Sequence, residues 1–551
     1  MSLPKLDLQR TFFEPEILFP GLGKAPGAER FSFFAEHILP ELMKRRPELE
    51  KMYCADNGRP AEEPVRMLAT TILQFMERMP DRQATEACNF DLRWKLALGM
   101  EASEPAFHHT SLVKFRERLL DHGMERLCFE AVLGKMQAAG YLPKRNRQRL
   151  DSTHILGVVS HMSRLECVRQ TLRLALEELS QDEKLARPAA WPVWWERYAE
   201  SRVDYKSSSE IIVQKMIQAG SDVREALSWI NGLPAGNRDG KAVRILRSVF
   251  EDNFEPGADG VITKRRARPT GAIQNPHNPD AQWSSKTTLK TKAWVGHKAQ
   301  VAETVQDEPR KTGEPTKSVI TSIVTQNASE SDKAGMTAVL KEQEQLGLAK
   351  PGTLYADSGY VSGPGMAKAI AEGRELMGPA PVSPDSGVYT ADVFQVNVEQ
   401  RHAVCPAGKT NTRCARLVAG ETGAITYRFR WCGLCQSCAV KEACLHKGDR
   451  YRVLRVTGHH TLTQARRKLM HTEEFKKDMH HRNGIEGTQS ELVRGYGLRQ
   501  ARYRGSNKTR LQNYFIGAAC NIKRWCRRVT WEAKQAVVGI ESIAKPMAVP
   551  A

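Results

Sequence analysis

The chain has 551 residues, a 41% hydrophobic composition and 82 Lys plus Arg against 63 Asp plus Glu, for a formal net charge of +19. Single hydrophobic cores stop growing at about 250–300 residues, so two to four domains are expected, and a cationic surplus of this size favours a polyanionic partner, most often nucleic acid. The opening MSLPKLDLQRTFFEPEILFP lacks the compact apolar core and cleavage site of a signal peptide, and no apolar run approaches bilayer-spanning length, so a cytoplasmic protein with no membrane partner is expected.

Residues 30–140 read as helices, with apolar positions three and four apart in VRMLATTILQFMERM and TSLVKFRERLLDHGMERLCFEAVLGKM. Thr110 and Ser111 are candidate N-caps for the second stretch. Between the two, MPDRQATEACNFDLRWKLALGM offers Asp81 as a cap and two short helices, compatible with a helix-turn-helix or with a plain helical bundle. After Pro143, RNRQRLDSTHILGVVS reads as a strand carrying Asp151. Helix returns from about 160 to 250, and the tryptophans of WPVWWERY read as packing residues rather than stacking platforms for bases. The Pro-, Asn- and Arg-containing KRRARPTGAIQNPHNPDAQWSSK reads as an irregular linker.

A series of short elements follows: strands in AWVGHKAQVAETV and SVITSIVTQN, a helix in DKAGMTAVLKEQEQLG, a strand in TLYADSGY, a helix in GPGMAKAIAEGR and a strand in ELMGPAPV. This alternation predicts a mixed sheet with helices on its faces. A Cys-bearing segment interrupts it at about 385–460, a basic helical region runs from about 462 to 535, and a frayed tail is expected after about 540. No internal repeat is evident.

Chemistry in an open sheet gathers at the carboxyl ends of its strands. Asp357, after the apolar Leu354–Ala356 and before Ser358-Gly359, stands at such an end, as does Asp151 if its strand lies alongside. Each alone could be a turn former. Together, two neighbouring Asp carboxylates can hold Mg²⁺, which prefers hard oxygen ligands. Glu486 lies four residues after Arg482, so the two share a helix face, as an ordinary surface ion pair would also do. Between 491 and 528 there are ten Lys or Arg residues and one acid, Glu491, a stretch suited to a phosphate backbone. No GxxxxGK[ST] loop points to a nucleoside triphosphate.

Five of the twelve cysteines are Cys405, in VCPAGK, and Cys432, Cys435, Cys438 and Cys444, in WCGLCQSCAVKEACLHK. Thiolates two residues apart can share a tetrahedral ion, a zinc signal with an iron–sulfur cluster or unligated thiols as alternatives. Cys54, Cys88, Cys128, Cys167, Cys520 and Cys526 read as buried small hydrophobes.

The ordered series RLDSTHILG, VGHKAQVAE, VTQNASESD, LYADSGYVS and RNGIEGTQSELVRGYGLRQARYRG resembles the DDE transposases of bacterial insertion sequences. YCADNGRPAEEPVRMLATTILQ, DRQATEACNFDLRWKLALGM and TSLVKFRERL are similar to their helical N-terminal domain. The resemblance implies an α/β ribonuclease H-like mixed-sheet core with an all-α N-terminal domain, a helical insertion and a small Cys-rich insertion. The expected division is 1–140 for DNA binding and assembly, 141–160 for the first core strand, 161–285 for the helical insertion and linker, 286–384 for the rest of the core, 385–460 for the Cys-rich insertion, 461–535 for the catalytic helix and basic region, and 536–551 for the tail.

Asp151, Asp357 and Glu486 would be the three metal-binding acids, with Arg482 near the scissile phosphate. Met479 and Val493 depart from the Tyr and Lys that the family often places seven residues before and after its Glu, and Arg494 could serve in place of that Lys. Lys298, Arg494, Arg499, Arg502, Arg504 and Lys508 are the candidate DNA contacts. The resemblance selects Cys405, Cys435, Cys438 and Cys444 as structural Zn²⁺ ligands, with Cys432 as alternate. The implied chemistry uses two Mg²⁺ or Mn²⁺ ions to cut double-stranded DNA at terminal inverted repeats and to transfer the 3′-hydroxyl into target DNA, by a homodimer or higher homo-oligomer. A catalytically inactive DNA-binding descendant and a ribonuclease H-like nuclease without strand transfer are the alternatives.

Overall fold

The structure, a computed structural model, describes residues 2–3, 12–54, 58, 60–142, 146–159, 162–201, 208–257, 262–286, 293–306, 312–382, 387–420 and 423–543. Pro143 and the expected tail after 543 lie outside these residues. No helix among them is long and apolar enough to cross a membrane.

The described residues of 30–140 are mainly helical, as their periodicity predicts: after short turns come α1 (Pro64–Glu77), α2 (Asp81–Phe90), α3 (Leu92–Leu98), α4 (His109–Asp121) and α5 (Leu127–Ala138). Helix α1 is buried almost all round, its polar Thr70, Thr71 and Gln74 included. The expected caps need correction. Asp81 is the first residue of α2 rather than its cap, and its carboxylate receives Arg116 and the Gln74 amide instead. The cap of α4 is His108, whose ring accepts from the Thr110 N–H, so neither Thr110 nor Ser111 caps it. A turn through Gly123, at φ 65°, then separates α4 from α5 within what reads as one periodic run.

Strand β1 (Arg147–Leu156) opens the sheet, and the chain leaves it at once for a helical insertion built on α6 (Arg164–Ser180), α7 (Ser209–Asn231) and α8 (Lys241–Asn253). These helices have their own core, including Leu172, Val223, Leu246, Trp191 and Trp194, so the two tryptophans are packing residues. The expected linker is not irregular throughout. Its Gln274, Asn275 and Asn278 are buried, and its end forms β2 (Gln282–Ser285), whose backbone pairs with Ala293–Gly296. Polar composition here marks buried connectors: Asn278 Oδ1 accepts the Gly505 N–H at 2.9 Å.

The series continues with β3 (Ala293–Thr304), β4 (Ile320–Asn327), α9 (Asp332–Gln345), β5 (Thr353–Tyr355), α10 (Gly363–Ala371) and β6 (Glu375–Met377). The result is a six-stranded mixed sheet in the order β2-β3-β1-β5-β6, with β4 also paired to β3. Strand β1 is antiparallel to β3 and parallel to β5, so its carboxyl end and that of β5 face the same way. A lobe over residues 387–457 follows, with two small antiparallel sheets around Phe394, Phe429, Trp431 and Leu454.

The basic region is three helices: α11 (His460–Leu469), α12 (Glu473–Tyr496) and α13 (Ser506–Ile543). Thr472 caps α12 by accepting the Phe475 N–H, and Gly497, at φ 75°, ends it. Helix α13 runs between the N-terminal helices and the sheet, sharing one core with Phe75, Phe129 and Ile323. The Phe75 and Phe515 rings stack at 5.6 Å.

Candidate active site

The ladder between β1 and β5 pairs Arg147 with Thr353, Gln148 with Leu354 and Arg149 with Tyr355. Continuing that register by two residues brings Asp357 level with Asp151. The apolar Leu354, Tyr355 and Ala356 are buried and hold the strand in the sheet, while Asp357 lies past its last paired residue, half-buried. Its Oδ1 accepts the Gly359 N–H at 2.8 Å, so it does form the turn that its sequence setting suggests. Asp151 Oδ1 accepts the Ser152 N–H at 2.7 Å. Burial above all, with the Asp357 carboxylate adding to it, pushes the Asp151 carboxyl up to about 6, against the pull of the Ser152 N–H and of Arg482.

Helix α12 supplies the rest. Arg482 Nη2 donates to Asp151 Oδ2 at 3.1 Å, and its Nη1 lies 3.6 Å from Glu486 Oε1. The guanidinium thus stands between two of the three predicted acids. Glu486 itself is 68% exposed. Gln489 Nε2 donates to the Ser152 carbonyl at 3.1 Å, which fixes the next turn of α12 to β1. Asp357, Arg482, Lys476, Met479 and His480 line an open cleft. Among the described residues no three His, Cys, Asp or Glu side chains are arranged to hold one metal ion, so Asp151, Asp357 and Glu486 do not form a closed ligand set.

Three other acids of α12 are engaged elsewhere. Glu491 pairs with Arg524 and Arg527, Glu473 with Lys476, and Asp478 Oδ1 accepts the Tyr355 hydroxyl at 2.9 Å. Met479 packs beside Tyr355 and Phe475, and Val493 packs against the main core while Arg494 is exposed. Sequence reasoning missed Asp332: a Cβ built on Gly359 would lie 3.0 Å from Asp357 Oδ1 and 3.2 Å from Asp332 Oδ2, so the two carboxylates flank that glycine. The acid opening a helix directly after the β4 pattern was the available signal.

The candidate DNA contacts divide. Arg494 and Arg504 are exposed. Lys298 Nζ donates to the Glu330 carbonyl and to Asp332, Arg499 donates to the His154 ring, Arg502 donates to the Met79 carbonyl and lies over Phe75, and Lys508 pairs with Glu117. The cysteines divide as well. Cys405, Cys435, Cys438 and Cys444 line one small cavity, with Arg452 N donating to Cys435 Sγ at 3.5 Å. Burial first, then the neighbouring Cys435, Cys405 and Cys438, raises the Cys444 thiol. Cys432 is not among the lining residues of that cavity. Cys88, Cys128, Cys167, Cys520 and Cys526 are buried as expected, but Cys54 is exposed, because the helix before it ends at Glu50.

Residues 404–526 match the family model described as Transposase DDE domain, and residues 26–118 match the one described as Transposase domain (DUF772). The first match contains Arg482 and Glu486, whereas Asp151 and Asp357 lie outside both. Comparison with curated proteins gives no match.

Proposed function

We propose that this chain, identified by its two matches as a DDE transposase of insertion-sequence type, cuts DNA at the ends of its element and joins the freed 3′-hydroxyl to target DNA. The observation that carries the reading is the register that brings Asp357 level with Asp151, with Arg482 and Glu486 of α12 over the same strand end. On this reading the mixed sheet is ribonuclease H-like and the cleft receives a DNA strand. Asp151, Asp357 and Glu486 would hold Mg²⁺ or Mn²⁺. Their hard carboxylate oxygens suit those ions, and a cation would offset both the burial that chiefly lifts Asp151 and the smaller repulsion from Asp357. When bound, two such ions supply an activated water or hydroxyl and neutralise charge on the entering and leaving oxygens. Arg482 would turn its guanidinium to a phosphate oxygen, a fork geometry that matches phosphate as well as carboxylate.

The same proposal gives Cys405, Cys435, Cys438 and Cys444 to a structural Zn²⁺. The four soft thiols line one cavity and Cys435 Sγ accepts a backbone N–H, but no three of them are arranged around one point, so an ion would have to draw them together. Double-stranded DNA is the partner, terminal repeats and target alike. A homodimer or higher assembly would hold two ends together, in the cytoplasm on the nucleoid.

A second reading is an inert descendant that only binds DNA. Arg482 between Asp151 and Glu486 favours it, since the guanidinium already neutralises the acids that a metal would. The test is incubation of purified protein with Mn²⁺ or Mg²⁺ and DNA bearing the terminal repeats. Nicking and joining that vanish in Asp357→Ala support the transposase. Activity surviving that change overturns the assignment of the acids, and a wild type that binds the repeats but never nicks them establishes the inert reading.

A further inference from the structure

Glu303 lies at the inner end of an apolar strand and is wholly buried. It stands opposite Arg149 in the ladder between β3 and β1, two residues before Asp151 on the same side of the strand. Its Oε1 accepts Arg149 Nε at 2.6 Å. Its Oε2 accepts Arg524 Nη1 at 2.8 Å and the Thr488 hydroxyl at 2.7 Å. Arg524 Nη2 donates to the same Thr488 oxygen at 2.7 Å, and its Nε donates to Glu491 at 2.9 Å.

Two of these contacts bracket Glu486. Arg149 Nη1 donates to the His481 carbonyl at 3.0 Å, one residue before Arg482, and Thr488 lies two residues after Glu486. Between them, Gly484 gives Arg149 room: a Cβ there would fall 1.9 Å from its Nη1. A buried carboxylate between two guanidiniums adds little net stability, because desolvation consumes much of the attraction, but such a group holds one geometry and rejects others. We propose that Glu303, through Arg149 and Thr488, is the positioning residue that holds the Glu486 turn of α12 beside the strand end that carries Asp151 and Asp357. This rests on the reading of those three acids as metal ligands.

The test uses full-length Glu303→Gln, Thr488→Val and Gly484→Ala, with Mn²⁺ binding measured by paramagnetic resonance or calorimetry, thermal unfolding, terminal-repeat DNA affinity and single-turnover cleavage. Residues that orient a metal ligand typically cost about 10–100-fold in metal affinity when changed. Variants that melt as folded proteins and keep DNA affinity, but bind Mn²⁺ at least tenfold more weakly and recover cleavage as Mn²⁺ is raised, support the proposal. A purely structural role would lower the melting temperature and leave Mn²⁺ affinity in place, and that result overturns it. If Glu303→Gln does not fold, Thr488→Val decides by the same criterion. A wild type that binds no Mn²⁺ removes the reading of the acids, and this proposal with it, whereas a wild type that binds and variants that bind equally remove the positioning role alone.

Discussion

His154 sits three residues beyond Asp151, against Trp294, with the Arg499 guanidinium directed at its ring. Burial first, then Arg499, depresses its pKa to about 4. The unfolded chain, with an ordinary His near 6.5, therefore binds a proton between pH 6.5 and 4 that the folded chain refuses, and stability falls as pH falls through that window. Urea midpoints at pH 7.5 and 4.5 should differ more for the wild type than for His154→Asn, and equal differences would show that His154 does not carry the slope. This pairing could not be read from the sequence, because Arg499 is 345 positions away. Separation also hid Glu303, whose partner Arg524 lies 221 positions on; its local sign is an acid ending the apolar run before Thr304. Arg482 and Glu486 were legible because helical spacing alone places them together.

The elements themselves were readable wherever periodicity was unbroken, as in α1, β1, β3, β4 and α9, while short pieces such as β2 depend on a partner strand for their backbone bonds. Helix α13 shows what composition conceals. Its cations read as a phosphate-binding row, yet Arg524 joins Glu303 and Glu491, Arg528 joins Glu314, and Lys523 joins Glu77. The helix instead seals an edge of the sheet. Asn521 Oδ1 accepts the Ile320 N–H and its Nδ2 donates to the Ile320 carbonyl, both at 2.9 Å, so one amide takes the place of a neighbouring strand. Asn521→Ala leaves both backbone groups buried without that partner and should cost about 2 kcal/mol or more in denaturant unfolding. A cost under about 0.5 kcal/mol would mean that the edge is satisfied in another way. Asn521→Leu should add aggregation through the opened edge.

The net charge of +19 still favours a polyanion, but fewer of its cations are free to meet one than the count suggests. DNA affinity should fall with salt, and Arg494→Ala and Arg504→Ala should each flatten the log–log slope by about 1. Arg524→Lys, at a cation 4% exposed, should weaken the fold and leave the slope alone. A slope unmoved by the first two changes would place the DNA on another face. The chain order of the candidate site has a consequence in time. Asp151 precedes a whole helical insertion, Asp357 precedes the cysteine lobe, and the end of β1 is completed only when Leu156 exchanges backbone hydrogen bonds with Arg499 and Ala501. During synthesis at about 5–20 residues per second, β1 waits roughly 20–70 s for that closing segment. On the proposed reading, a chain still being synthesised has no completed site until it is almost finished, and any product truncated before residue 486 carries Asp151 and Asp357 without Glu486.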